Sequence, residues 1–216
     1  MERPIIPPKP LPKPGRVQVF KATEDYLSKN ENELSIERGQ LLYTNDFDNS
    51  QNYVNVTVNG KKGMVPKKIL SSEMAEILQY PLHESAKRGN IKFLKECLDN
   101  GVSPNSLDKS SATPLFWASH SGYDDIVKLL LSINNIDLNN KNKMGDTALH
   151  AAAWKGRGKI VEMLVEAGAD LHIKNNDNMK PVDLAKDVEV AAFLKVAMSK
   201  VVEKVQEEYS SEEEDC

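Results

Sequence analysis

"TPLFWASHSGYDDIVKLLLSINNI" (residues 113–136) and "TALHAAAWKGRGKIVEMLVEAGAD" (residues 147–170) are two copies of one pattern. Thr113 and Thr147 stand 34 residues apart, and "PLHESAKRGNIKFLKECLDNGV" (residues 81–102) carries the series toward the N-terminus. Pro81 and Pro114 are 33 apart, and Gly89, Gly122 and Gly156 keep spacings of 33 and 34. A fourth copy, "KPVDLAKDVEVAAFL" (residues 180–194), begins 33 residues after Thr147 and lacks the glycine. A unit of this length buries its apolar face only by stacking on its neighbours.

Each unit reads as two short helices. Thr113 and Thr147 suit a helix N-cap, because the hydroxyl accepts a bond from an unpaired backbone N–H. Pro114 suits the first helical position, where its missing N–H costs nothing. Small residues follow (Ser85 and Ala86, Ala118 and Ser119, Ala151 to Ala153) and let neighbouring helices approach closely. The glycine ends the first helix in a left-handed conformation. "DIVKLLL" and "KIVEMLV" then place apolar residues on one face of a second helix. Period, caps and glycines together resemble the ankyrin repeat over residues 80 to 195. Tyr80 replaces the leading threonine of the first unit, and the fourth unit departs as a capping repeat does. Residues 188 to 208 are expected to continue as a helix whose Phe193, Ala197, Val201 and Val205 cover the end of the stack.

The first third of the chain has a different period. "VQVF" alternates, "QLLYTND" is strand-like, and "YVNVTVNGKKGMV" places two short strands around Asn59-Gly60, a strong hairpin signal. Several short strands in this span predict a small barrel. Ala22 to Tyr26, "NELSIERG" (residues 32–39) and "GMVP" (residues 63–66) resemble the turn and strand motifs of an SH3 domain. That resemblance implies a groove for a polyproline helix between aromatic rings. Its candidates here are Tyr26, Tyr53 and Pro66, with Glu31 and Glu33 facing a ligand's lysine or arginine. Glu24 and Ile69 stand where two further groove tyrosines are expected. Each missing ring costs roughly 1–2 kcal/mol of contact. Two absent rings turn a ~1 μM binder into one between ~30 μM and ~1 mM. The barrel is thus either a weak proline reader or a packing module.

Residues 4–15, "PIIPPKPLPKPG", contain a P-x-x-P-x-K arrangement in Pro4, Pro7 and Lys9 that resembles an SH3 ligand. Bait for another protein's SH3 domain is the reading we favour. Self-docking and a plain stiff leader are the alternatives. The acidic end "YSSEEEDC" (residues 209–216) reads as disordered. Ser210 and Ser211 each have an acidic residue three positions on, as targets of acid-directed kinases do.

Charge and motifs narrow the function classes. A net charge of −4 argues against a nucleic-acid partner. No apolar run reaches the length of a membrane span, and the N-terminus lacks the apolar core of a secretory signal. The two cysteines, Cys97 and Cys216, form no disulfide framework and no zinc spacing, which fits a reducing cytoplasm. No nucleophile elbow, phosphate loop or carboxylate pair appears, so neither catalytic residues nor cofactors or metals are expected. His83 and His150 fill a slot where histidine bonds the turns between repeats, and His120 and His172 lack metal-ligating neighbours. Trp117 and Trp154 occupy positions that face the concave surface of a repeat stack, with packing between repeats as the alternative. Asp108, Lys109, Lys143, Met144 and Asp146 fall on the predicted loop tips beside them.

The expected architecture is multidomain: a proline-rich arm (1–14), a small all-β SH3-like barrel (15–72), an all-α ankyrin-repeat solenoid (73–198), and a helix end with an acidic disordered tail (199–216). This order of modules resembles a family of small cytoplasmic signalling adaptors described as indirect promoters of osteoclast formation. The resemblance runs through "PLHESAKRGN", "KECLDNGV", "NIDLNNKNK" and "KMGDTALHAAAWKG". It implies adaptor work; with no catalytic motif present, a non-enzymatic protein is expected, and a monomer. Its partners would be SH3-containing or proline-rich signalling proteins and a ligand of the ankyrin face. A single-partner inhibitor or assembly chaperone that uses only the ankyrin face, with a degenerate barrel, is the alternative.

Overall fold

The computed structural model describes residues 16–45 and 52–213, with side chains as far as residue 200. Pro4, Pro7 and Lys9 of the arm lie outside the described residues. The chain divides into two compact units, one of the residues up to Gln79 together with Asp99–Ser103, the other of Tyr80–Leu98 and the residues from Pro104 onward.

The first unit is a five-stranded antiparallel sheet built from β1 (Gln18–Ala22), β2 (Leu41–Thr44), β3 (Tyr53–Val58), β4 (Lys61–Pro66) and β5 (Ala75–Leu78). The strand order is β4-β3-β2-β1-β5. β3 and β4 pair from Tyr53 opposite Pro66 to Val58 opposite Lys61. Asn59 and Gly60 close that hairpin with φ of 50° and 77°. Positive φ at both central positions is what a tight two-residue hairpin requires and what Asn-Gly supplies. Along β3 the side chains alternate, so Val54, Val56 and Val58 go inward. They meet Phe20, Tyr26, Ile36, Leu42, Val65 and Ile69 in one apolar core. A single 3-10 turn, Lys67–Leu70, carries Ile69 into it. β5 pairs with β1 from Val19 opposite Leu78 to Ala22 opposite Ala75, so the sheet reaches beyond the span 15–72 read from the sequence. The pairing covers what would otherwise be an open edge of β1.

Among the described residues the second unit holds eight helices: α1 (Pro81–Arg88), α2 (Ile91–Asp99), α3 (Pro114–Ser121), α4 (Asp124–Leu131), α5 (Ala148–Trp154), α6 (Gly158–Glu166), α7 (Pro181–Leu184) and α8 (Val188–Glu213). α1, α3, α5 and α7 pack in succession, and α4, α6 and α8 form a second layer. Equivalent positions are filled by equivalent burial: Leu82, Leu115 and Leu149 at one level, and Cys97, Leu130 and Leu164 at another, are all closed to solvent. Cys97 thus stands in a leucine's place. Gly89 and Gly122 end α1 and α3 at φ of 74° and 90°. Thr113 Oγ1 accepts from the Phe116 N–H at 3.2 Å, the capping bond its position predicts. Tyr80, in the threonine slot of the first unit, makes no side-chain cap.

α8 differs from the sequence expectation in two ways. As far as residue 200, Val190 and Leu194 are its buried residues, while Phe193 and Ala197 are only partly covered. The helix also runs to Glu213, which places Ser210 and Ser211 in helical backbone rather than in a disordered tail. Once the first turns are docked, each further residue adds a bond at little nucleation cost, and Glu207 and Glu208 are good helix formers.

Ser119 Oγ is fully buried in α3 without a hydrogen-bond partner. Ser119→Ala is therefore expected to leave stability unchanged or raise it by up to ~1 kcal/mol, since it removes a desolvated hydroxyl. A urea unfolding curve checks the sign.

Candidate functional site

On the barrel, the structure brings Tyr26, Glu33, Tyr53 and Pro66 together. Tyr26 bridges to Ile36, and the neighbouring turn turns Glu33 inward. The Glu33 carboxylate accepts four bonds: from Tyr26 Oη at 2.6 Å, Asn30 Nδ2 at 2.6 Å, Lys29 N–H at 3.0 Å and Tyr53 Oη at 3.0 Å. The Tyr26 hydroxyl and the Lys29 amide hold its pKa down at about 2 against the opposing effect of burial. The same bond pushes Tyr26 up to about 12. Glu33 was expected to face a ligand's cation, but it is spent inside the fold as the knot that fixes both groove tyrosines. Glu31 is exposed and free of that knot. Ile69 is sealed in the core instead of lining the groove. Tyr53 remains 38% exposed as a residue.

On the repeat unit, Trp117, Trp154, Met144 and Asp146 line one hollow of about 500 Å³. Its floor is shaped by a loop that repeats with the helices. Asp108 Oδ1 accepts from the N–H of Ser110 and Ala112. Asn142 Oδ1 does the same for Met144 and Asp146, and Asn175 Oδ1 for Asp177 and Met179. Adjacent loops are then tied together. Lys143 N–H donates to Ser110 O, Asn176 N–H to Met144 O, and Asn175 Nδ2 to Asp146 Oδ1. Asp108 also takes the Trp117 indole N–H on Oδ2 at 2.8 Å, which aims that ring. Lys109 and Lys143 are exposed loop-tip residues outside the lining of the hollow.

His120, weighed from the sequence only as a metal ligand, belongs to this hollow. It lies three residues after Trp117 on the same helix face, with ring centroids 5.6 Å from Trp117 and 5.7 Å from Trp154. Burial, then the nearby Lys155 and Arg157, lower its pKa. The helical i, i+3 spacing was the available signal. The other expected histidine role is borne out by geometry. His83 Nε2 lies 3.0 Å from the carbonyls of Ser106 and Ala112, and His150 Nε2 lies 3.1 Å from that of Met179.

Among the described residues, no group of three or more His, Cys, Asp or Glu side chains is arranged to hold a metal ion. No helix there is long and apolar enough to cross a membrane.

Residues 68–175 match the family of ankyrin repeats (three copies), and residues 19–73 match the variant SH3 domain family. The class is therefore an SH3–ankyrin protein-interaction adaptor. Curated relatives name the family within that class. Osteoclast-stimulating factor 1 of Bos taurus is 45% identical over 189 residues, 88% of this chain and 87% of the relative. That of Gallus gallus is 46% identical over 88% of this chain and 92% of its own. That of Danio rerio is 42% identical over 96% of this chain and 97% of its own. The chain belongs to the osteoclast-stimulating factor 1 family.

Proposed function

We propose that this chain is a non-enzymatic cytoplasmic adaptor whose principal contact is the aromatic hollow of the ankyrin unit. The observation that carries it is the convergence of Trp117, His120 and Trp154 on one concavity, with Trp154 39% and Met144 64% exposed. Rigid aromatic anchors around a preformed hollow are what protein partners use as hot spots. The arm and the barrel add a proline-directed contact: Pro4, Pro7 and Lys9 as bait for an SH3 domain, and the ring of Tyr53 beside Pro66 as a weak reader with Glu31 as its free acid. Ser210 and Ser211 are proposed phosphorylation sites that adjust charge. The relatives' name attaches stimulation of osteoclasts to them, and an indirect role of that kind is the one proposed for this chain. The tied-up Glu33 favours a second reading: a barrel without ligands and a single partner on the ankyrin face.

Affinity capture from cells with the full chain, Trp154→Ala and Tyr53→Ala separates these readings. The adaptor loses different partners with each substitution. The single-partner reading loses everything with Trp154→Ala and nothing with Tyr53→Ala. Retention of all partners by both variants removes both readings.

A further inference from the structure

The hollow has two unlike ends. At the loop end Asp146 accepts from Asn175, and Asp108, just outside the lining, holds the Trp117 indole and its own loop, while the exposed carboxylate of Asp177 also lines that end. The helix-end rim carries three lysines beside one carboxylate, Asp187, which accepts from the Glu189 and Val190 N–H groups. Lys87 Nζ stands 4.0 Å from the Trp117 ring centroid, and Lys155 Nζ and Lys186 Nζ stand 4.1 Å and 4.7 Å from that of Trp154. Lys87 pairs with Glu84 at 3.7 Å. Lys155 and Lys186 have no ion-pair partner among the described residues. A cationic anchor entering between the indoles would meet like charges already using the ring faces. An anion meets the opposite case, because two unpaired ammonium groups and the Arg157 field around His120 all favour it.

We propose that the hollow receives an acidic peptide segment, with an aromatic or large apolar anchor between Trp117 and Trp154 and flanking carboxylates against Lys155 and Lys186. This rests on the ankyrin-face reading above. The anchor displaces water from the aromatic walls, and the carboxylates set direction and register along the rim. A carboxylate beside the imidazole also favours the protonated form of His120, so docking changes its charge.

The chain has two tryptophans, and both line this hollow, so intrinsic tryptophan emission of the full chain reports on it alone. Three capped pentapeptides are titrated: phenylalanine flanked on each side by two acidic, two neutral amide or two basic residues. The acidic peptide is expected to shift emission saturably and to bind at least tenfold tighter than the other two. Lys155→Glu with Lys186→Glu, both at the surface, is expected to weaken it at least tenfold, and added salt to weaken it too. The His120 pKa, followed by NMR, rises on binding. Equal or tighter binding of the neutral or basic peptide overturns the acidic assignment and leaves the ankyrin-face reading standing. If no peptide moves the emission while Trp154→Ala still loses partners, only the present proposal falls. If Trp154→Ala also keeps every partner, both fall.

Discussion

Gly145→Ala is expected to destabilise the ankyrin unit by about 3 kcal/mol, which lowers its melting temperature by roughly 10 °C. Gly145 has φ of 80°, in the region that side chains disfavour. Conformation alone does not set the cost. Ser111 and Asn178 occupy the equivalent loop position at φ of 60° and 62° and are tolerated. Contact decides the matter. A Cβ on residue 145 would lie 2.7 Å from the Asn176 backbone nitrogen and 2.9 Å from the Asn175 Cα. Backbone cannot rotate away as a side chain can. The loop holding residues 175–179 would have to shift, and the bond from Asn176 N–H to Met144 O would break with it. Met144 and Asp146 line the hollow, so the same substitution should also weaken partner binding. Ser111→Gly is the control: it relieves the same φ without a clash, and stability should be unchanged or slightly higher. Urea denaturation followed by tryptophan emission measures both variants. A cost below ~1 kcal/mol for Gly145→Ala would mean that adjacent loops move independently.

The features that were legible in the sequence are those enforced locally. Gly89 and Gly122 end helices wherever they occur, because the left-handed region is open to them at little cost. Asn59-Gly60 closes a hairpin for the same reason. Thr113 caps because its hydroxyl reaches an N–H three residues on. The loop of Asp108, Asn142 and Asn175 obeys an equally short-range rule. It was missed because three different residues fill its left-handed position (Ser111, Gly145 and Asn178), so no single letter marks it. What lay beyond the sequence depends on what folds over it. Glu33 looks like any exposed acid in a turn until Tyr26 and the β3 residue Tyr53 converge on it. β5 is four residues long and gains its identity from the open edge of β1. Trp117 and Trp154 were recognisable as interface candidates. Their relation through His120 needed the actual offset between α3 and α5.

Acidification is expected to weaken the two units in different pH windows, the ankyrin unit first. His83 and His150 are buried, and burial is the first cause that lowers both pKa values from the ordinary 6.5. His150 Nδ1 already accepts the Thr147 N–H at 3.2 Å and cannot take a proton without losing that bond. His83 Nδ1 is buried with no partner to receive one. His120 is lowered as well. A base held neutral in the fold binds fewer protons than the unfolded chain below pH 6.5. These groups therefore contribute full stability above that pH and lose it as pH falls toward their folded values. Glu33 has the opposite charge logic and a lower window. Its folded pKa of about 2 lies below the ordinary 4.5. The barrel is thus unaffected by this group above pH 4.5 and loses its contribution between there and about 2. Urea midpoints from tryptophan emission should fall between pH 7.5 and 5.5, since both tryptophans report on the ankyrin unit. NMR signals of Val56 in the barrel core should hold their midpoint over that range. His150→Gln should lower stability by roughly 2–3 kcal/mol at pH 7.5, by disturbing buried bonds to Thr147 and Met179. It should also flatten the slope below pH 6.5. An ankyrin midpoint that does not move between pH 7.5 and 5.5 would show that these imidazoles gain protons in place, and that the turns between repeats open to solvent without unfolding.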